Sequence, residues 1–77
     1  MKVQFFGYLA ERAGRGALDV EDAPTVGAVV EAVKRALPAL ASLDRSVRFA
    51  VNTDYADLKT KLKPGDVVSF IPPVGGG

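Results

Sequence analysis

The 77-residue sequence predicts an α+β domain: a mixed sheet of about four to five strands with one main helix packed on one face. Three observations lead there. Short segments at both ends and in the middle alternate with the two-residue period of strands. A single longer stretch repeats valine at helical spacing. Glycine, proline and asparagine separate these segments at short intervals, and a chain of this length holds one core rather than two.

The elements follow in order. Residues 2–8 read as a strand with Met1, Val3 and Phe5 toward one face and Lys2, Gln4, Phe6 and Tyr8 toward the other. Its second face carries two large aromatics where a half-exposed strand normally carries polar residues. Residues 9–13 can form a helical turn that Gly14 ends in a left-handed conformation. Residues 17–20 then offer Leu18 and Val20 on one side, so the first two strands form an antiparallel hairpin with an extended loop.

The main helix is the plainest signal. Pro24-Thr25 supplies a stop and an N-cap, after which Val26, Val29, Val30, Val33 and Leu37 line one helical face until Pro38 ends it. Such a valine stripe needs tertiary packing to outweigh its modest helix propensity, so this helix lies across a sheet. A short helical turn is expected over residues 39–43. Residues 47–51 alternate as a strand with Val47, Phe49 and Val51 inward, and Asn52-Thr53-Asp54 reads as a turn held by local side-chain hydrogen bonds. Residues 55–57 read as a short returning strand, with Leu58 and Leu62 dipping into the core. Lys63-Pro64-Gly65-Asp66 has the residues of a type II turn and launches the last strand, residues 67–71, with Val68 and Phe70 inward and Val67, Ser69 and Ile71 outward.

This order most resembles the ubiquitin-like β-grasp fold, in which the first and last strands lie parallel at the sheet centre. On that arrangement Phe6, Tyr8 and Ile71 cluster on the sheet face away from the helix, and read either as scattered surface hydrophobes or as a docking surface for a partner.

Composition narrows the chemistry. The chain has no cysteine and no histidine, so it lacks a thiol nucleophile, a thiolate metal site and the usual neutral-pH general base, and no metal site is expected. Self-contained catalysis is not expected from such a chain. Ten Lys and Arg against nine Asp and Glu give a net charge of +1, which argues against a nucleic-acid partner. Lys59, Lys61 and Lys63 read as a solvated loop face. There is no membrane-spanning apolar run and no signal-peptide pattern in residues 1–6, so a cytoplasmic protein is the expectation.

The final segment, Pro72-Pro73-Val74-Gly75-Gly76-Gly77, follows the last strand directly and divides the chain into a domain of residues 1–71 and an extended tail of residues 72–77. The prolines favour extended geometry and cannot donate to a continuing ladder, so they project the chain off the sheet. Glycines without side chains can enter a channel too narrow for other residues. Six residues reach roughly 20 Å, enough to carry a terminal carboxylate deep into another protein. Once adenylated, that carboxylate becomes an acyl electrophile. A chain without a thiol can thereby carry sulfur as a thiocarboxylate.

The whole sequence resembles the small subunit of molybdopterin synthase, the MoaD-type sulfur-carrier proteins. The match rests on Val3-Gln4-Phe5-Phe6, Pro24-Thr25-Val26, Ala50-Val51-Asn52, Pro64-Gly65-Asp66 and Phe70-Ile71-Pro72-Pro73-Val74-Gly75-Gly76-Gly77. The resemblance implies that an E1-like adenylyltransferase activates the Gly77 carboxylate with ATP. A sulfur donor, such as a cysteine desulfurase or a rhodanese-like protein, then makes the thiocarboxylate. It further implies that Gly75, Gly76 and Gly77 enter the large subunit and deliver sulfur to cyclic pyranopterin monophosphate, within a heterotetramer of two small and two large subunits. The family's partner-facing positions correspond to Phe6, Tyr55 and Ile71, with Pro72, Pro73 and Val74 at the root of the tail. No stably bound cofactor is implied. A diglycine end is shared with sulfur carriers for thiamine or tRNA thiolation and with ubiquitin-like protein modifiers, which stand as the alternatives.

Overall fold

The computed structural model describes residues 1–43 and 46–73. Five strands form one mixed sheet: β1 (Lys2–Phe5), β2 (Ala17–Asp19), β3 (Arg48–Val51), β4 (Asp54–Ala56) and β5 (Val67–Ile71). The spatial order is β2-β1-β5-β3-β4. β1 and β5 run parallel at the centre, with Val3 opposite Val68 and Phe5 opposite Phe70. The other neighbours are antiparallel. The β-grasp arrangement expected from the sequence is therefore present.

Helix α2 (Val26–Ala36) is capped as its sequence predicts, Thr25 Oγ1 accepting from the Ala28 N–H at 3.2 Å. Its stripe of Val26, Val29, Val30 and Val33 is buried, while Leu37 is only half-buried against the core. Pro38 does more than stop the helix. It opens a 3-10 turn, Pro38–Leu40, earlier than expected, whose Leu40 is fully buried. Phe70 centres the core, meeting Phe5 and Phe49 edge-on at ring-centroid distances of 5.5 and 5.1 Å.

The structure corrects the sequence reading in four further places. β1 ends at Phe5, and Tyr8 opens a short helix, α1 (Tyr8–Ala13), instead of extending the strand. The cause is Gly7, whose φ of 56° turns the chain so that its carbonyl accepts from Ala10. Gly14 then closes α1 in the left-handed conformation, with the paired bonds of a Schellman motif from Gly14 to Glu11 and from Arg15 to Ala10.

The second correction is Leu58, which is 51% exposed rather than inserted in the core. Backbone demand explains it: residues 58–62 strap the start of α2, where Leu58 and Thr60 carbonyls accept from the Gly27 and Val26 N–H groups at 2.9 and 3.0 Å. Leu62, by contrast, packs against the core as expected. Third, the Asn52 side chain bonds residues 14 and 15 positions away, not its own turn. Fourth, the returning strand begins one residue earlier, at Asp54. The turn at Pro64-Gly65 forms as expected, Gly65 having φ 90° and the Asp66 N–H donating to the Lys63 carbonyl at 3.1 Å.

Candidate functional site: the outer sheet face and the root of the tail

The sheet face opposite α2 carries one continuous cross-strand row. Gln4 stands opposite Ser69, Ser69 opposite Ala50, and Ala50 opposite Tyr55. The middle of this row is small and buried: Ser69 is 6% exposed and Ala50 8%. Ser69 Oγ donates to Gln4 Oε1 at 3.4 Å, so its hydroxyl is satisfied within the sheet. Larger side chains stand around this floor. Phe6 and Tyr55 are 47% and 78% exposed, and Ile71 is half-exposed.

Two open depressions share Tyr55 and Ile71. One, of about 350 Å³, has the Ser69 and Ala50 floor with Gln4, Phe6, Tyr55 and Ile71 around it. The other, of about 540 Å³, joins Tyr55 and Ile71 to Arg48, Phe49, Pro72 and Pro73. The apolar face is therefore continuous with the start of the tail. Exposed apolar side chains grouped around a small-residue floor suit a protein partner that inserts its own side chains.

Of the residues expected at the site, Phe6, Tyr55, Ile71, Pro72 and Pro73 come together here. Tyr8 does not join Phe6 and Ile71. It lies on α1, where the Arg12 guanidinium sits 5.6 Å from its ring centroid, because Gly7 diverts the chain before it. Val74, Gly75, Gly76 and Gly77 lie outside the described residues. Sequence reasoning missed the Ala50 and Ser69 floor, whose outward register is the only signal such small residues give. It also missed Arg48, which stands opposite Ile71 at the tail root.

The tail's exit is tightly packed. Pro72 lies so close to Gly7 that a Cβ at residue 7 would sit 2.8 Å from Pro72 Cγ. At the other end of β5, Asp66 accepts from the Lys63 N–H at 2.8 Å and from Asn52 Nδ2 at 3.1 Å. Those two hydrogen bonds, the backbone one first, hold the Asp66 carboxyl below its ordinary value. Among the described residues no group of His, Cys, Asp and Glu could hold a metal ion, and no helix is long and apolar enough to cross a membrane.

The sequence model of the ThiS family matches residues 3–77. The chain belongs to the ThiS family. This ThiS-family chain is 39% identical to the molybdopterin synthase sulfur carrier subunit of Escherichia coli (strain K12), over 100% of its own length and 99% of that protein. It is 35% identical to the protein of the same name from Mycobacterium tuberculosis, covering 100% and 96%. Among solved structures, it superposes on the small archaeal modifier protein 1 from Methanosarcina acetivorans with a TM-score of 0.87 at 28% identity, covering 99% of this chain and 94% of that one. A chain from the protein–protein complex of subunits 1 and 2 of the molybdopterin-converting factor from Helicobacter pylori 26695 matches with a TM-score of 0.71 at 30% identity, covering 99% and 96%.

Proposed function

We propose that this protein is the sulfur-carrier subunit of a molybdopterin synthase, with its reactive group at the Gly77 carboxylate. The observation that carries the reading is the continuity of the apolar outer face with Pro72-Pro73, the root of a tail ending in three glycines. Full-length relatives named as molybdopterin synthase sulfur carriers support it.

In this reading the chain contributes reach and docking rather than catalysis. Residues 1–71 form the docking body and residues 72–77 the probe. An E1-like adenylyltransferase joins the Gly77 carboxylate to ATP with loss of pyrophosphate. Sulfur delivered at the sulfide level by a separate donor then displaces AMP and leaves the thiocarboxylate. Phe6, Tyr55 and Ile71 seat the body on the large subunit, the still-exposed part of each contributing on the order of 1 kcal/mol when covered. Pro72, Pro73 and Val74 lead Gly75, Gly76 and Gly77 into the large-subunit active site, where sulfur passes to cyclic pyranopterin monophosphate. The assembly is a heterotetramer of two small and two large subunits, in the cytoplasm.

The test is to mix the thiocarboxylated protein separately with a molybdopterin synthase large subunit and with a thiazole-forming enzyme. Consumption by the large subunit with formation of the dithiolene is the expected result. Consumption by the thiazole-forming enzyme alone would assign the carrier to another pathway. The likeness to small archaeal modifier protein 1 favours a second reading, conjugation to protein lysines, which recovery of covalent lysine adducts from cells would reveal.

A further inference from the structure

The hairpin that carries Tyr55 is fastened to the sheet by a side chain. β3 ends at Val51 and β4 begins at Asp54, so Asn52-Thr53 is a two-residue loop. Of the two, only Asn52 has positive φ, 55°, as in a type II′ hairpin. The ladder between β3 and β5 continues one step further, the Asn52 N–H donating to the Val67 carbonyl at 2.8 Å. Where a regular ladder returns that bond to the backbone carbonyl, Asn52 Oδ1 accepts it, from the Val67 N–H at 3.0 Å. Nδ2 of the same amide donates to Asp66 Oδ1 at 3.1 Å, and Asp66 Oδ2 accepts from the Lys63 N–H at 2.8 Å. Two loops far apart in sequence are thus joined beside the smaller depression, which Asn52 and Thr53 also line.

We propose that Asn52 and Asp66 are a positioning pair that holds the β3–β4 hairpin, and with it Tyr55, in one geometry beside Ile71 so that the outer face docks without rearrangement. The inference rests on the docking role given to that face above. β4 has three residues and lies at the sheet edge, bonded only to β3, and the Tyr55 ring is almost uncovered. Its placement is therefore set by its backbone. Glycine would accept the positive φ but supply neither bond. Aspartate would accept from Val67 but set a second carboxylate against Asp66. Asparagine meets all three demands, and a hairpin so fixed loses less freedom when a partner covers it.

The reciprocal exchange N52D/D66N separates positioning from general stability. In N52D two carboxylates face each other, and in D66N one amide oxygen must serve two donors. In the double variant the amide at 66 donates to the carboxylate at 52, which still accepts from Val67, and the full set of bonds returns. Large-subunit binding by titration calorimetry should weaken about tenfold in N52D, less in D66N, and recover to within about threefold in N52D/D66N. Amide exchange at Tyr55 and Ala56 in the free protein should speed up and recover in the same order. Gly14→Ala, remote from both loops, lowers stability and should leave docking unchanged. Weakening by Gly14→Ala comparable to N52D, or no recovery in the double variant, would overturn the positioning role. A wild-type protein that does not bind the large subunit would defeat the docking reading instead, and the exchange rates would still decide whether the pair holds the hairpin.

Discussion

Gly7→Ala tests how the tail's exit is built. Gly7 has φ 56° and ψ −137°, a combination that costs an L-residue about 1–3 kcal/mol. The added Cβ would lie 2.8 Å from Pro72 Cγ, an atom in a closed ring that cannot swing aside alone, so Pro72 must shift. Overpacking of this kind adds roughly 1 kcal/mol or more. The lower entropy of the unfolded alanine chain returns about 0.4–1 kcal/mol, leaving a net loss of about 1–3.5 kcal/mol. Gly14→Ala is the matched control: its φ of 74° is also positive, but nothing lies within 4 Å of the added Cβ, and its cost should be about 1 kcal/mol. Urea unfolding of both variants measures the difference. Pro72→Ala removes Cγ and should shrink the Gly7→Ala penalty by about 1 kcal/mol in a double-mutant cycle. Equal losses for Gly7→Ala and Gly14→Ala, or an unchanged penalty without the Pro72 ring, would refute the close packing as the cause.

Other perturbations separate core from surface. Phe70→Ala deletes the ring that Phe5 and Phe49 meet edge-on and should cost about 3–5 kcal/mol in denaturant unfolding, a large share of a small domain's stability. Tyr55→Ala, at a 78% exposed position, should change stability by less than about 0.5 kcal/mol while weakening large-subunit binding in calorimetry. Phe6→Asp should likewise reduce binding more than thermal stability. Because the folded-state pKa of Asp66 is lowered, its contribution is present above the ordinary value of 3.8 and is lost as pH falls through the lowered one. Stability of D66N, followed by unfolding between about pH 5 and pH 2, should therefore fall less steeply than that of the wild type.

Much of the fold was legible because it rests on periodicity and local turn chemistry. The valine spacing marked α2 with its Thr25 cap, and Pro64-Gly65 marked the entry to β5, whose alternation assigned every side chain to its observed face. What escaped was set by contacts distant in sequence. Strand alternation continued through Tyr8, but Gly7 turns there because its backbone fits beneath Pro72. Leu58 was read from hydrophobicity, whereas its loop is recruited to satisfy the first N–H groups of α2. From the sequence Asn52 reads as a local turn residue, yet its side-chain partners lie 14 and 15 positions further along, beyond β4 and the strap. At the site, Phe6 and Ile71 were visible as apolar residues on a face where polar ones are usual. Tyr55 came only from family resemblance, since a single aromatic in a three-residue strand carries no period.

The central claim is that sulfur is carried on the backbone carboxylate of Gly77 in a chain with no cysteine. Mass spectrometry of the intact protein, purified from its native cells during active cofactor synthesis, tests it most directly. The account predicts a fraction about 16 Da heavier than the unmodified chain, oxygen replaced by sulfur, with the increment confined to the C-terminal fragment and absent when Gly77 is deleted from a still-folded protein. A single unmodified mass under those conditions, or a heavier species that persists without Gly77, would contradict it.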